Sequence, residues 1–199
     1  MAQEHLVHNA VYLLPGRGNR LRDLGDPITR LGFDVYGREL APPFSRLGFA
    51  EQVSLIQHDL AAAFWDADAR LIGHSYGAYL LLHALADMEP FPGRILLFAP
   101  VLGAALDAQR LYLSRPPRAD KLLQLAQNHA FPTPCALELH TGALDDGCDP
   151  ALATRWSSLI PGARLVLVPD QGHQLADDYV QRVLAHFLPA ADGPRAALP

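Results

Sequence analysis

The stretch Ala69-Arg70-Leu71-Ile72-Gly73-His74-Ser75-Tyr76-Gly77-Ala78-Tyr79-Leu80-Leu81-Leu82 passes from one periodicity to another with no loop between them. Residues 69–73 form a short, nearly all-apolar run of strand length, and residues 76–87 carry Leu80, Leu81 and Leu85 at helical spacing. A strand that runs straight into a helix leaves Ser75 on a turn so sharp that its backbone must be strained. Gly73 and Gly77 flank it because a side chain at either place would collide with the neighbouring strand or helix. The turn holds the Ser75 hydroxyl clear of the sheet, above the helix start at Tyr76, where unbonded N–H groups and a partial positive charge favour a developing anion. Serine is also a favoured helix cap, so Ser75 has a second, purely structural reading.

Working outward, the same alternation recurs along the chain. Strands are predicted at residues 10–14, 33–37, 69–73, 95–98, 136–140 and 164–168, each nearly all apolar, as strands buried on both faces should be. Helices are predicted at 26–31, 49–64, 76–87, 120–129, 150–160 and 176–187, the last with a stripe of Val180, Val183, Leu184 and Phe187. This order predicts an α/β protein with a mostly parallel sheet of about six strands and helices on both faces. A single domain over 1–188 is expected, with residues 189–199 a fraying tail of Ala, Pro and Gly. The longest connection, 100–134, is mostly one helix and the Pro116-Pro117 turn, which leaves little room for a lid.

In a parallel sheet every strand ends on the same edge, so groups far apart in sequence can meet there. A nucleophilic serine needs a base, and the base needs an acid to orient it. His173 follows the last predicted strand in Asp170-Gln171-Gly172-His173-Gln174. Of the other histidines, His5, His8, His58, His83, His129 and His186 fall at the terminus or on helices, and His74 is expected to point away from the turn; His140, at a strand end, is the competitor. The strand over 136–140 runs on into Thr141-Gly142-Ala143-Leu144-Asp145-Asp146-Gly147-Cys148-Asp149-Pro150. Asp149 before Pro150 is explained as a helix cap. Asp145 and Asp146 remain, and two adjacent carboxylates cannot both face one imidazole; Asp145 is favoured.

Composition narrows the partners. The chain has 199 residues, 50% hydrophobic and 19% charged, which suffices for a core without disulfides or a structural metal. Cys135 and Cys148 form no C-x-x-C pattern, which suits a reducing compartment. Sixteen basic against 21 acidic residues give a net charge of -5, which argues against nucleic acid as a partner. All the basic residues but Lys121 are Arg, a chain-wide bias that gives no single Arg special weight. Residues 1–9 carry Glu4, His5 and His8 where a signal peptide would be basic and then apolar, and no apolar stretch reaches ~18 residues. A cytoplasmic protein without membrane insertion is expected; nothing in the pattern sets an oligomeric state.

By its Gly73-His74-Ser75-Tyr76-Gly77 elbow and its order Ser, Asp, His, the chain resembles the α/β-hydrolases over nearly its whole length, and among them the smallest, lidless members. In that family the acid follows a late strand as Gly, two residues, then Asp, matching Gly142 and Asp145, and the base follows the last strand as Gly-His, matching Gly172-His173. The resemblance implies Ser75, His173 and Asp145 as the catalytic residues of acyl transfer to water, on a small-molecule ester or thioester with a small to medium acyl group. It also implies an oxyanion hole from the backbone N–H of Tyr76 and one from the loop Leu14-Pro15-Gly16-Arg17-Gly18-Asn19, with Arg17 as the second donor and Gly16 lining the substrate site. No metal or organic cofactor is implied, and activity should fail below about pH 6 as His173 takes a proton. The Arg17 side chain could also meet a carboxylate or phosphate on the substrate. Tyr79, Tyr112 and Trp156 read as packing residues, and Leu102, Leu106 and Leu111 as an acyl-binding wall. The chain departs from many members in having Pro15-Gly16 where they have His-Gly, and in lacking two early antiparallel strands. A binding scaffold with an idle triad, and peptidase, acyltransferase or perhydrolysis chemistry on the same residues, are the alternatives.

Overall fold

A computed structural model describes residues 9–104 and 116–188. The chain order is β1 (Ala10–Leu14), α1 (Leu21–Arg30), β2 (Asp34–Gly37), α2 (Phe49–Ala63), β3 (Arg70–His74), α3 (Tyr76–Leu85), β4 (Arg94–Phe98), α4 (Lys121–Gln127), β5 (Ala136–Gly142), α5 (Pro150–Ser158), β6 (Ala163–Val168) and α6 (Asp177–Phe187). The six strands form one sheet in the order β2-β1-β3-β4-β5-β6, and every pairing is parallel. The chain winds outward from β1 to β2, then returns to build the rest of the sheet from β3. The crevice above β1 and β3 is therefore the switch point, where the loops on either side part and a ligand can enter.

Alternation along the strands splits the core into two layers. Tyr12 and Leu14 pack with Ile56, Leu60, Leu81, Leu122 and Trp156 on the face covered by α2 to α5. Val11 and Leu13 pack with Ile28, Phe33, Leu184 and Phe187 on the face covered by α1 and α6. All ten residues of α3 are buried, so the leucine stripe read from sequence understates how deeply this helix lies. The inner strands are buried on both faces as expected, but β2 and β6 are not: Asp34 is exposed and Leu167 is 41% exposed. Both are edge strands, each with one neighbour. Helix α1 starts at Leu21 rather than at residue 26, with Pro27 inside it. Asp23 accepts the Arg20 N–H at 2.7 Å and Glu39 accepts the Leu21 N–H at 2.9 Å, so side chains satisfy the helix start well before the proline.

Among the described residues no helix is long and apolar enough to cross a membrane. Leu106, Leu111 and Tyr112, the tail over 189–199 and the first eight residues lie outside the described residues.

Candidate active site

Ser75 follows the last residue of β3 and precedes the first of α3, with φ 52° and ψ -121°, a conformation an L-residue adopts only under constraint. The constraint is visible on both sides. Its N–H donates to the Phe98 carbonyl at 3.0 Å, and its own carbonyl accepts the Val101 N–H at 3.2 Å. A Cβ on Gly77 would strike the Leu14 and Pro15 carbonyls, and one on Gly73 would sit 2.7 Å from Ala78 Cα, so both glycines are there for closeness of approach, as the sequence suggested. The Ser75 hydroxyl does not cap α3. It lies 3.0 Å from His173 Nε2 instead.

His173 sits on the loop between β6 and α6, its side chain 29% exposed. Its Nδ1 is 3.1 Å from each oxygen of Asp145, whose side chain is fully buried. Asp145 is held from below by the N–H groups of Gly147 and Cys148, both donating to Oδ1 at 2.8 Å. With two backbone donors on the carboxylate, the Nδ1–H of His173 completes its shell, and the Nε2 lone pair faces the serine.

The loops that carry Asp145 and His173 are joined to each other. The Ala143 N–H donates to the Val168 carbonyl and the Leu144 N–H to the Gln171 carbonyl, each at 2.9 Å. A Cβ on Gly142 would collide with the Gln171 and Gly172 carbonyls, and one on Gly147 would lie 3.1 Å from His173 Nδ1. Asp146 is exposed, and Asp149 caps α5 through the Ala151 N–H at 2.8 Å, as expected.

The histidines sort clearly. His140 is buried on β5, its Nε2 2.8 Å from Glu138 Oε1 and its Nδ1 2.7 Å from the Tyr179 hydroxyl, so both ring nitrogens are committed away from Ser75. His74 makes no bond to the serine but stays nearer the site than the sequence suggested. Its ring lies 6.0 Å from that of His173, and its Nδ1 lies 3.3 Å from Asn19 Nδ2. Burial, helped by the neighbouring His173, pushes its pKa down from 6.5 to about 4, so it adds no charge beside His173 at neutral pH. His74 also lines a polar groove of about 340 Å³ between α1 and α6, with Asn19 and Gln174.

On the other side of Ser75, the loop after β1 lies directly on the elbow: a Cβ on Gly16 would be 3.1 Å from Ser75 Cβ and 2.8 Å from His74 Nδ1. Among the described residues the N–H groups of Arg17 and Tyr76 have no acceptor. The Arg17 guanidinium lies over the Tyr76 ring, 4.1 Å from its centroid. Tyr79 donates to the Pro117 carbonyl at 2.6 Å and Trp156 Nε1 to the Leu122 carbonyl at 3.1 Å, so both are packing residues as read. Leu102 is buried.

Two features had no sequence signal. The Cys148 thiol donates to the Ala99 carbonyl at 3.0 Å, tying the acid loop to the end of β4, and burial raises its pKa well above the usual thiol value. Asp145, Cys148 and His173 place ligand-type atoms within 4.8 Å of one another. Their protons and lone pairs are already matched among themselves and the backbone, which is the pattern of a proton relay rather than of an open ligand set. The second feature is the Arg17–Tyr76 stack, because spacing does not tell which ring an arginine will cover.

No protein-family model matches the chain, and no curated protein does. Among solved structures it is similar to a monoacylglycerol lipase of Paleococcus ferrophilus, with a TM-score of 0.63 and 14% identity over 92% of this chain and 95% of the other. It is similar to esterase PE8, with a TM-score of 0.62 and 20% identity over 95% of each chain. A candidate hydrolase of the alpha/beta superfamily from Xanthomonas campestris aligns at a TM-score of 0.61 and 18% identity, over 91% and 98% of the two chains. At these identities the likeness is one of fold.

Proposed function

We propose that this chain, which has the α/β-hydrolase fold, is a serine hydrolase that cleaves an ester or thioester of a small to medium acyl group. One observation carries this: the unbroken relay from Ser75 Oγ to His173 Nε2 at 3.0 Å and from His173 Nδ1 to Asp145 at 3.1 Å. Ser75 Oγ bonds to the substrate carbonyl carbon as its proton passes to Nε2, and the carbonyl π pair becomes an oxyanion. The N–H groups of Arg17 and Tyr76, without an acceptor among the described residues, receive that charge, with the start of α3 behind Tyr76. Collapse expels the alcohol or thiol, which takes the proton from Nε2 and leaves the acyl group on Oγ. Water then gives a proton to Nε2 and attacks the same carbon; the second collapse releases the acid and returns the proton to Oγ. Asp145 stays ionised throughout, orienting the ring and stabilising it when charged. Each proton moves among serine, histidine, leaving group and water, so these steps call on no metal or organic cofactor.

The names of the structural neighbours, an esterase and a lipase among them, support the acyl-ester class. A fluorophosphonate probe tests the proposal. Stoichiometric labelling is expected at Ser75, located by peptide mass spectrometry, and absent from Ser75→Ala and His173→Ala. Well-folded protein that takes no label would refute it and leave a binding scaffold.

A further inference from the structure

The machinery above uses the Arg17 backbone and leaves its side chain without a task. That side chain is exposed, yet it is not loose: it rests on the Tyr76 ring at 4.1 Å, a contact worth roughly 0.5–1 kcal/mol at a surface. Among the described residues no carboxylate pairs with it; its one side-chain neighbour is the neutral Tyr76, whose hydroxyl it favours in the ionised form against the burial that raises the Tyr76 pKa. Its place is set by the fold. Gly16 presses on Ser75 from one side, and Tyr76, which carries the guanidinium, follows Ser75 directly on the other. A cation with no carboxylate partner among the described residues is thus held one residue from the nucleophile on either path through the chain. The Asp145 carboxylate of the site is buried behind His173 and already bonded to two backbone N–H groups, so it offers this cation nothing.

We propose that Arg17 is a specificity-determining residue, and that the ester or thioester cleaved at Ser75 carries a carboxylate that the Arg17 guanidinium binds. This rests on the hydrolase assignment above. A planar guanidinium fork matches a carboxylate in shape, and one that is already stacked loses little freedom on binding it. One cation matches one negative charge. The chain as a whole carries a net charge of -5, which disfavours a dianion such as a phosphate monoester and means that any anion preference must be local. The carboxylate could sit on the acyl chain or on the leaving group; both lie within reach of a residue at the oxyanion side of the serine.

The test uses two fluorophosphonates of equal length, one ending in a carboxylate and one in a methyl ester, and reads the ratio of their second-order labelling rates at Ser75. The carboxylate probe should react about tenfold faster with the wild type, ~1.4 kcal/mol. The ratio should fall to about one in Arg17→Ala, recover in part in Arg17→Lys, invert in Arg17→Glu, and shrink with added salt. Arg155→Ala removes the same charge from the exposed face of α5 and should leave the ratio at the wild-type value. Two ester pairs then place the carboxylate: 4-nitrophenyl hemiglutarate against valerate for the acyl side, and 4-acetoxybenzoate against its methyl ester for the leaving-group side. An anion preference in either pair, lost in Arg17→Ala, supports the proposal. Ser75 that labels well with the same ratio in wild type and Arg17→Ala overturns it and leaves the hydrolase assignment standing. Folded protein that neither probe labels overturns both.

Discussion

Replacing Asp145 with Asn discriminates among the carboxylates better than deletion does, because the backbone fixes how the amide must sit. Gly147 and Cys148 both donate to Oδ1 at 2.8 Å, so the amide oxygen of Asp145→Asn keeps that position and the NH₂ takes the place of Oδ2. It then faces His173 Nδ1 across the present 3.1 Å with a donor where an acceptor stood. The amide oxygen at Oδ1 is still 3.1 Å from Nδ1, but an Nδ1–H directed to it would abut the adjacent NH₂, so the favoured tautomer accepts the amide at Nδ1 and carries its proton on Nε2, where it cannot take the proton of Ser75. The lost base, together with the lost stabilisation of the charged ring, should lower kcat by about 10³ to 10⁴, or ~4–5.5 kcal/mol at ~1.36 kcal/mol per decade. Folding should suffer far less, by ~1 kcal/mol, since the two backbone bonds survive. Steady-state hydrolysis of a 4-nitrophenyl ester and urea unfolding measure the two quantities on one preparation. Asp146→Asn, at an exposed carboxylate, should stay within about threefold of wild type. Asp145→Asn activity within tenfold of wild type would refute the relay as drawn, and a collapse in Asp146→Asn would move the acid to that residue.

His83 is 1% exposed, neither ring nitrogen has a hydrogen-bond partner among the described residues, and it lies 4.3 Å from Tyr79 and 5.1 Å from Phe49 between ring centroids. Burial lowers its pKa from 6.5 to about 4, so on acidification the unfolded chain takes the proton first and stability drains away as pH falls through that interval. His83→Phe should therefore raise Tm, and by more near pH 5 than near pH 7.5; an equal shift at both, or a lower Tm at the acid value, would contradict this. His74 shares the same direction, so the variant should flatten the acid limb without abolishing it. Cys148→Ala should lower kcat about fivefold by freeing the acid loop from Ala99, and Cys148→Ser, which keeps a donor, should recover most of it; an alanine variant at the wild-type rate would show the thiol contact to be idle.

The elbow was legible because its chemistry is local: two glycines, a serine and a change of periodicity fall within a few residues of one another. His173 and Asp145 were legible through the parallel sheet, since strand ends share an edge whatever their separation in sequence. What escaped depends on contacts between distant segments. Helix α1 extends five residues before the predicted start at residue 26, because Glu39, from beyond β2, satisfies its first turn, a contact that local spacing does not show. Edge strand β6 is as apolar in pattern as the inner strands, and strand order is what exposes it, whereas β2 already carries the charged Asp34. His74 was expected to leave the site, yet Asn19 from the loop after β1 holds its ring beside it. The thiol of Cys148 had no neighbour in sequence to announce it, because its acceptor stands at the end of another strand.

The residue after β4, Ala99, has φ 41°, and the carbonyls and amides around it face two ways: Phe98 and Val101 bond the Ser75 backbone, while Ala99 bonds Cys148 and, through its N–H, the His140 carbonyl at 2.7 Å. Asp145 and His173 ride together behind β5 and β6, stitched loop to loop, and Ser75 rides on β3. Strand β4 is the gauge between these two assemblies, and its far end sets the gap between Ser75 and His173 that the proposed proton transfer needs. A disturbance there would leave the histidine paired with its carboxylate and the elbow still wound, with only the distance between them wrong. Such a molecule would fold, titrate and look whole, and yet be silent.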